Sequence, residues 1–314
     1  MKVAVILFNL GGPDSPEAVK PFLRNLFSDP AILRVPGFVR GPLAWLISTQ
    51  RAPTAQKIYA QIGGASPILG QTEAQARALE IALGTDHQFR AFVCMRYWHP
   101  MTEAVVQDVR AFAPDRIVLL PLYPQFSTAT TQSSLDAWKQ EAARLSGTTA
   151  TIRSYPVDPG FIDASVDLVT QGLAEVGSRP RRLLFSAHGL PEKLIEAGDP
   201  YQSEVEQTAA AIVARLGEPD SAVCYQSRVG PLKWIGPSTD EEIARAGRDG
   251  KAVVLYPLSF VSEHSETLVE LDIEYRHLAE KAGVPRYHRV PTVGTHPAFI
   301  RGLAAQVRGV LGQA

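Results

Sequence analysis

The second half of the chain contains a series of regularly spaced carboxylates. They are three or four residues apart: Glu263, Glu266, Glu270 and Glu274. An α-helix predicted over residues 263–281 places all of them in one stripe, on which only Lys281 supplies a balancing cation. The stripe is either a solvated acidic face or a partly buried row whose pKa values burial would raise. A buried row would conduct protons and attract a divalent cation.

His188 is the second group that could do chemistry. It follows an apolar segment and precedes Gly189, so we predict that it projects from the carboxyl end of a strand, where open α/β sheets bind ligands. A single histidine is either structural or a base that works near neutral pH. With Glu266 it would form a mixed nitrogen and oxygen site suited to Fe²⁺ or Zn²⁺, with too few ligands to retain the metal. These residues predict proton transfer coupled to metal delivery.

Short apolar segments that could position these groups recur along the chain and are typical of buried strands. They span Val3 to Leu7, Phe89 to Met95, Arg116 to Leu120, Arg182 to Ser186, Ala222 to Gln226 and Ala252 to Tyr256. Helix-length amphipathic stretches lie between them, with start signals at Ser15-Pro16, Ser66-Pro67 and Ser238. This alternation predicts parallel sheets of the α/β class.

The two halves of the chain contain similar segments in the same order. Leu7-Phe8-x-x-x-Gly12 matches Leu184-Phe185-x-x-x-Gly189, Val93-Cys94 matches Val223-Cys224, and Val118-Leu119-x-Pro121-Leu122 matches Val254-Leu255-x-Pro257-Leu258. This order predicts two similar α/β domains, with about 47 extra residues between the first two segments of the first half. The surplus is apolar at 35–47, before Arg51 begins a new helix. It predicts ordinary core, a lip over a ligand or a patch that touches a membrane.

Composition and charge exclude several classes of protein. The 314 residues carry a net charge of −1, so no overall field favours nucleic acid. Cys94 and Cys224 lie in apolar segments, which argues against a disulfide framework or a cysteine metal cluster and favours a reducing cytoplasm. The apolar start ends at Gly11 and is too short for a signal peptide, and no segment is long enough to span a membrane.

The predicted strand ends are rich in aromatic and single polar side chains, which favours a cleft for a large, flat, mostly apolar ligand with anionic groups. Arg96 could bind a carboxylate or form a structural ion pair. Trp234 could pack in the core or against a flat ring. The sequence contains no G-x-G-x-x-G, Walker, G-x-S-x-G or HExxH pattern, which disfavours a nucleotide cofactor and the hydrolases that use the last two patterns.

At these positions the sequence resembles the ferrochelatase family, whose members insert ferrous iron into a porphyrin at the end of haem synthesis. The resemblance covers essentially the whole chain. It rests on ordered motifs: Leu10-Gly11-Gly12-Pro13, Ile62-Gly63-Gly64-Ala65-Ser66-Pro67, Arg96-Tyr97-Trp98-His99-Pro100, Tyr123-Pro124-Gln125-Phe126-Ser127, Ser186-Ala187-His188-Gly189-Leu190-Pro191, Gly198-Asp199-Pro200-Tyr201, Gln226-Ser227-Arg228-Val229-Gly230-Pro231 with Trp234, and Glu263-His264-Ser265-Glu266-Thr267-Leu268.

The resemblance implies two Rossmann-like chelatase domains with the porphyrin in a cleft between them. The first would span residues 1–150, with an apolar lip at about 30–65, and the second would span residues 151–290. Residues 291–314, with a helix from about Pro297 to Leu311, would return to the first domain. The segment after Glu263 would contain π-helical turns, which would distort the α-helical stripe.

The resemblance also implies roles for individual residues. His188 corresponds to the family's invariant active-site histidine and Glu266 to its paired glutamate, so both would bind metal and act in catalysis. A line of groups would lead from them and relay protons or metal: Glu263, His264, Glu270 and Glu274. Further positions would line the porphyrin pocket: Leu10, Ser66, Gln75, Arg96, Tyr97, Tyr123, Ser127 and Trp234. His188 would accept a pyrrole proton and Glu266 would carry it away.

Departures from the family pattern narrow the prediction. No cysteine set occurs near the end of the sequence, so we expect no iron–sulfur cluster and no permanently bound cofactor, with Fe²⁺ as a substrate. Leu10 stands where members that act on coproporphyrin resemble one another in carrying tyrosine, which favours protoporphyrin IX. The open alternatives are a chelatase for coproporphyrin III or for another tetrapyrrole and metal, and a porphyrin or haem carrier without catalysis. Residues 35–47 would contact the inner face of a membrane.

Overall fold

The computed structural model describes residues 1–218, 220–228 and 232–312. The motif residues Val229-Gly230-Pro231 and the last two residues of the predicted C-terminal segment lie outside the described residues. The chain forms two compact units. Unit 1 is Met1–Ser154 with the chain from Leu303 onward, and unit 2 is Tyr155–Gly302.

Unit 1 is built on a four-stranded parallel sheet in the order β2-β1-β3-β4. Its strands are β1 (Lys2–Asn9), β2 (Gln88–Met95), β3 (Arg116–Pro121) and β4 (Thr148–Thr151). Its helices are α1 (Val19–Ser28), α2 (Gly37–Ala60), α3 (Ile68–Leu83), α4 (Thr102–Phe112) and α5 (Thr131–Glu141), followed by a 3₁₀ turn at Ala142–Arg144. One face of the sheet packs on α4 and α5 through Val105, Val109 and Trp138.

Unit 2 repeats this plan with a parallel sheet in the order β6-β5-β7-β8. Its strands are β5 (Arg181–His188), β6 (Ser221–Gln226), β7 (Ala252–Pro257) and β8 (Tyr287–Arg289). Its helices are α6 (Pro159–Val176), α7 (Glu192–Glu196), α8 (Tyr201–Leu216), α9 (Thr239–Arg248), a π-helix (Glu266–Glu274) that continues as α10 (Tyr275–Lys281), and the start of α11 (Pro297–Gly312). From Leu303, α11 belongs to unit 1, where Arg308 donates to the carbonyls of Ala82 and Leu83.

The predicted α/β class with parallel sheets is confirmed. Each of the six apolar segments forms a strand. The inner strands β1, β3, β5 and β7 are covered on both faces and need a continuous apolar run, and β2 and β6, at one edge of each sheet, carry such a run as well. The sequence did not reveal β4 and β8, which form the opposite edges. Thr148–Thr151 is polar and Tyr287–Arg289 has three residues, so neither carries an apolar run.

The strand register corrects one of the matches between the two halves. Phe8 pairs with Cys94 and Pro121, and Ser186 pairs with Cys224 and Pro257 in the same way. Phe8 is therefore equivalent to Ser186, and the predicted match of Phe8 with Phe185 is one residue out of register. A one-residue shift places every side chain on the opposite face of the strand. In the correct register, Leu10 is equivalent to His188.

The surplus of the first half contains a long helix with an exposed apolar face. α2 runs without interruption from Gly37 to Ala60, so the prediction that Arg51 begins a new helix is wrong. The apolar side chains that reach solvent include Phe38, which is 84% exposed, and Trp45, which is 52% exposed. Of the core, lip and patch alternatives, ordinary core is excluded for these two side chains. None of the helices in the described residues is long and apolar enough to cross a bilayer.

The segment after β7 is not the α-helix that the stripe of glutamates predicted. Residues Glu266–Glu274 form a π-helix, which confirms the π-helical turns that the family resemblance implied, and the α-helix begins only at Tyr275. The wider turn of a π-helix brings residues four and five apart onto one side, so the α-helical stripe does not apply here. The end at Lys281 and the helix start at Ser238 are confirmed, and Ser238 forms a capping box with Glu241 at the start of α9.

Candidate active site

The sheet of unit 2 brings His188 and Glu266 together at its carboxyl edge. His188 is the last residue of β5, and Glu266 begins the π-helix that follows the neighbouring strand β7. In this strand order the edge between β5 and β7 is the topological switch point, where α/β sheets bind ligands. His188 Nδ1 and Glu266 Oε2 are 2.8 Å apart. The structure therefore forms the pair that the sequence suggested.

His188 and Glu266 each stabilise the charged form of the other, which makes neutral His188 a stronger base. Burial alone would lower the pKa of His188, but the charge of Glu266 and the hydrogen bond to it raise this pKa above its usual value. Burial alone would raise the pKa of Glu266, yet the charge of His188 and the same hydrogen bond lower it to about 2. The prediction that burial raises the pKa of the whole row is wrong for Glu266, because a cation lies beside it.

The imidazole of His188 keeps one nitrogen for a ligand. Its Nδ1 is bound to Glu266, which leaves Nε2 as the ring nitrogen that can accept a proton or bind a metal. The His188 side chain is 40% exposed, so an incoming ligand can reach it. A base with its second nitrogen fixed by a carboxylate is an arrangement suited to proton abstraction.

A serine hydroxyl links Glu266 to the next carboxylate of the row. Ser227 follows β6, and its Oγ lies 3.3 Å from Glu266 Oε2 and 2.5 Å from Glu270 Oε2. The Ser227 N–H donates to Glu270 Oε1 at 2.9 Å, in a left-handed backbone conformation with φ of +59°. Burial and the charge of Glu266 raise the pKa of Glu270. Glu270 therefore holds a proton more readily than Glu266 does.

Two predicted relay residues do not join this arrangement. Glu263 precedes the π-helix, and its Oε1 accepts a hydrogen bond from Arg289 Nη1 at 2.7 Å. Glu274 ends the π-helix with an exposed side chain. The expectation that only Lys281 balances the acidic row is wrong, because β8 brings Arg289 to Glu263 and to Asp272.

His264 lies against Glu266 as a neutral neighbour. Its Nε2 is 3.9 Å from Glu266 Oε1, and its ring packs on Phe260 with 4.7 Å between centroids. Burial lowers the pKa of His264, so the ring is neutral near pH 7. A neutral imidazole beside Glu266 adds no second cation to the site and keeps a nitrogen lone pair that could contact a metal.

Trp234 lies beside the backbone that follows His188. A Cβ atom at Gly189 would lie 3.4 Å from the Trp234 ring and 2.9 Å from the Gln226 carbonyl oxygen, so only glycine allows this close approach. Trp234 also forms a β-bridge with Pro191. The half-buried indole ring is therefore an aromatic surface at the edge that carries His188.

Sequence reasoning did not assign Gln226 and Ser227 to the site. Gln226 Nε2 lies 3.4 Å from Glu266 Oε2, and Ser186 Oγ donates to Gln226 Oε1 at 2.8 Å, which orients the amide. The signal that could have found both residues is their position at the carboxyl end of a predicted strand next to β5.

The carboxyl edge of unit 1 carries most of the residues predicted to line a porphyrin pocket. Leu10 directly follows β1, and its carbonyl accepts a hydrogen bond from the Tyr97 N–H at 3.0 Å. The Ser66 N–H donates to the Pro13 carbonyl at 2.7 Å. A Cβ atom at Gly12 would lie 2.6 Å from Ser66 Cβ, so a glycine at this position leaves room for the Ser66 side chain beside the end of β1.

Arg96 forms the structural ion pair that was one of its two predicted roles. Its Nη2 donates to Asp29 Oδ2 at 2.7 Å, and its Nε donates to Ser133 Oγ at 2.7 Å. Asp29 also accepts hydrogen bonds from Tyr97, at 2.8 Å, and from Ser133. Burial alone would raise the pKa of Asp29, but hydrogen bonds from Ser133 and Ala31 and the charge of Arg96 hold it below its usual value.

The remaining predicted pocket residues are largely buried within unit 1. Ser127 is 1% exposed and Gln75 is 0% exposed, so contact between Gln75 and a ligand would require a side-chain movement. Tyr123 is half-buried, and burial raises the pKa of its hydroxyl well above the usual value. These three assignments stay predictions.

The site offers a metal few ligands. Within the described ranges, no three histidine, cysteine or acidic side chains come together in a metal-binding group. Cys94 and Cys224 are buried, and burial raises the pKa of both thiols to about 12. His188 and Glu266 are thus the pair at this edge that could contact Fe²⁺, a substrate that must also leave.

Comparison with known proteins agrees with these features. The sequence model of the ferrochelatase family matches residues 2–311. The ferrochelatase of Caulobacter vibrioides is 57% identical over 318 aligned residues, which cover 100% of this chain and 91% of that protein. The ferrochelatase of Phenylobacterium zucineum is 54% identical, with 99% of this chain and 92% of that protein covered.

Solved structures share the fold at much lower identity. The sirohydrochlorin chelatase SirB from Bacillus subtilis subspecies spizizenii, in complex with cobalt, aligns with a TM-score of 0.60 and 11% identity, over 100% of this chain and 97% of that one. This likeness concerns the fold alone. The resemblance read from the sequence motifs is confirmed by the family match and by the full-length relatives. The chain therefore belongs to the ferrochelatase family, enzymes that insert ferrous iron into a porphyrin in haem synthesis.

Proposed function

We propose that this ferrochelatase inserts Fe²⁺ into protoporphyrin IX, with His188 as the base and Glu266 as its partner. The observation that carries the proposal is the 2.8 Å contact between His188 Nδ1 and Glu266 Oε2 at the switch point of unit 2. It leaves Nε2 of a histidine with a raised pKa as the proton acceptor. The two domains would span residues 1–150 and 151–290, with 291–314 as the C-terminal segment.

The reaction exchanges two pyrrole protons for one ferrous ion, so the charge at the ring centre is unchanged. His188 accepts a pyrrole proton at Nε2, and its contact with Glu266 stabilises the imidazolium that results. A flat porphyrin keeps its N–H groups in the plane, so binding energy from its faces must bend the ring. Trp234 supplies one such apolar surface beside His188.

Protons leave the site through Glu270 in this proposal. The Ser227 hydroxyl bridges Glu266 and Glu270, and the raised pKa of Glu270 makes it able to hold a proton that Glu266 releases. His264 lies 3.9 Å from the other carboxylate oxygen of Glu266, as a neutral neighbour on that side. Glu263, held by Arg289, positions the loop before the π-helix, and exposed Glu274 exchanges protons with solvent.

The metal interacts with the protein only transiently. A nitrogen of His188 and a carboxylate oxygen of Glu266 suit Fe²⁺, yet two ligands cannot retain it against the four nitrogens of the porphyrin. No iron–sulfur cluster is expected, because Cys94 and Cys224 lie in different units and are both buried. Iron and acid-labile sulfide in the purified protein would contradict this part of the proposal.

The choice of protoporphyrin IX rests on the edge of unit 1. Leu10 follows β1 there beside Tyr97, and Ser66, Tyr123, Ser127 and Gln75 complete the proposed porphyrin-binding set, with Arg96 holding this edge through Asp29. If this position selects the substrate, Leu10→Tyr should lower the ratio of kcat/KM for protoporphyrin IX to kcat/KM for coproporphyrin III. An unchanged ratio would mean that Leu10 does not select the substrate, and coproporphyrin III would remain an alternative.

Residues 35–47 form the proposed membrane contact, at the cytoplasmic face. Phe38, Trp45 and Leu46 expose 84%, 52% and 44% of their surface, and the Lys20 ammonium group lies 5.9 Å from the Trp45 ring centroid, where it could meet anionic lipid. Co-sedimentation with anionic lipid vesicles should fall for Phe38→Ser combined with Trp45→Ser. Equal co-sedimentation of this variant and the wild type would exclude the contact.

Anaerobic incubation of the protein with protoporphyrin IX and Fe²⁺ tests the activity. We expect multiple-turnover loss of the free-base visible bands, and His188→Ala should lose it while binding porphyrin. His277→Ala, at an exposed position of α10, is the matched control. Tight porphyrin binding without insertion of Fe²⁺, Zn²⁺ or Co²⁺ would instead identify a tetrapyrrole carrier, and insertion of Co²⁺ alone would identify a different chelatase.

A further inference from the structure

Three arginines of unit 1 lie at the carboxyl edge of its sheet: Arg153 stacks on Phe126, whereas Arg96 and Arg34 differ in what they can bind. Arg96 follows β2, and Arg34 reaches the loop after β3, where its Nη2 donates to Thr128 Oγ1 at 3.4 Å. In the order β2-β1-β3-β4, the edge between β1 and β3 is the switch point at which a ligand binds. Both guanidinium groups are therefore candidates for the carboxylates of a porphyrin.

Arg96 is already neutralised within the protein. Its Nη2 is bound to Asp29 at 2.7 Å and its Nε to Ser133 at 2.7 Å. Asp29 is 4% exposed and its pKa is held below the usual value, so it is ionised near neutral pH. A guanidinium that is paired and held by buried partners offers little net charge to a second carboxylate.

Arg34, in contrast, has an exposed side chain without an acidic partner in the described part of the chain. The turn that carries it is fixed by hydrogen bonds on both sides. The Leu33 N–H donates to the Asp29 carbonyl at 2.9 Å. Arg40 donates to the carbonyls of Leu33, at 3.1 Å, and Val35, at 2.8 Å. The charge of Arg34 is thus both uncompensated and held in a defined turn.

We propose that Arg34 binds a propionate carboxylate of the porphyrin and that Asp29 reserves Arg96 for a structural role. A guanidinium presents a planar pair of donors that matches a carboxylate. At this edge Arg34 has no acidic partner in the described residues, whereas Arg96 is paired with Asp29. The inference rests on the proposed function, because it requires a dicarboxylic porphyrin as substrate. It makes Arg34 a residue that sets substrate affinity and leaves the chemical step to His188.

The test compares porphyrin binding and turnover in Arg34→Gln, Arg34→Lys and Arg153→Gln. Arg153 is the matched control, because it is also an exposed arginine of unit 1 and follows the edge strand β4. Its guanidinium carbon lies 4.0 Å from the centroid of the Phe126 ring, on which it stacks. Binding of protoporphyrin IX and of its dimethyl ester is measured by fluorescence in the same detergent, without iron, and insertion kinetics are measured with the free acid.

For Arg34→Gln we expect Kd and KM for protoporphyrin IX to rise about tenfold. We expect kcat and the Kd for the dimethyl ester to stay at the wild-type values, Arg34→Lys to retain part of the affinity, and Arg153→Gln to match the wild type. Equal affinity of Arg34→Gln and wild type for the free acid would overturn the inference, as would an equal loss for acid and ester. If the wild type fails to insert iron, the proposed function itself is wrong, and the two failures are thereby distinguished.

Discussion

The carboxyl edges of the two sheets share one architecture and carry different chemistry. The strand orders β2-β1-β3-β4 and β6-β5-β7-β8 are the same, and the register makes Leu10 of unit 1 equivalent to His188 of unit 2. At this position one unit presents an apolar side chain and the other a base. In the proposed function, the same switch-point geometry therefore provides a contact surface in unit 1 and a proton acceptor in unit 2.

The carboxylates behind these two edges, Asp29 and Glu266, also differ in whether their partners can move a proton. Asp29 accepts hydrogen bonds from Arg96, Tyr97 and Ser133, which together fix its carboxylate in place. Glu266 instead faces His188, whose second nitrogen is available, and Ser227, whose hydroxyl leads to another carboxylate. The first network can only hold its shape, whereas the second can move a proton.

The largest expected effect on stability is at Asp29. Asp29→Asn leaves Arg96 partly buried without its carboxylate, which should lower the free energy of unfolding by about 3 kcal/mol. Urea unfolding followed by circular dichroism measures this loss. The control Asp86→Asn, at an exposed site of unit 1, should change stability by less than about 0.5 kcal/mol. A similarly small change for Asp29→Asn would mean that the unit 1 network does not hold the edge together.

Glu266→Gln should lower kcat about a hundredfold with little change in stability, because it removes the carboxylate that orients His188. It also removes the charge that raises the pKa of His188. Since His188 must be deprotonated to accept a pyrrole proton, the rise of kcat/KM with pH should move to lower pH in this variant. A pH profile identical to that of the wild type would show that His188 is not the group that titrates.

The smallest effects separate two glutamates of the row. Glu270 is bridged to Glu266 through Ser227, and Glu274 is exposed without such a link in the described structure. Glu270→Gln should therefore lower kcat about tenfold, whereas Glu274→Gln should stay within about twofold of the wild type. Steady-state rates at saturating Fe²⁺ and porphyrin measure both. Equal losses would favour proton transfer along the whole helix instead of transfer through Ser227.

Most of the fold follows from the sequence, because the four inner strands are covered on both faces and need an apolar run, and the edge strands β2 and β6 carry one too. The opposite edge strands β4 and β8 lack such runs, and the contact between Arg289 and Glu263 depends on β8. The correspondence between β1 and β5 could not be predicted either, because Phe8 and Phe185 are equally apolar. Only the pairing of Phe8 with Cys94 and of Ser186 with Cys224 shows that Phe8 corresponds to Ser186.

The candidate site was predictable in its residues but not in its electrostatics. His188 and the strand ends follow from the position of apolar runs, and the family motifs supplied Glu266. The pKa of Glu266 moves in the direction opposite to the prediction because its Oε2 lies 2.8 Å from the histidine, a distance that no spacing in the sequence reveals. The π-helix could be predicted from the family resemblance but not from the spacing, since the α-helical stripe of glutamates fits the sequence equally well.

Substitution at the two equivalent positions tests the central claim most directly. In His188→Ala and Leu10→Ala, equilibrium binding of protoporphyrin IX and the single-turnover rate constant of Fe²⁺ insertion are measured side by side. We expect His188→Ala to bind porphyrin like the wild type but to insert iron at least about a thousandfold more slowly. Leu10→Ala should bind more weakly and react at nearly the normal rate once saturated. A normal insertion rate in His188→Ala, or a lost rate in saturated Leu10→Ala, would contradict the division between a binding edge and a reacting edge.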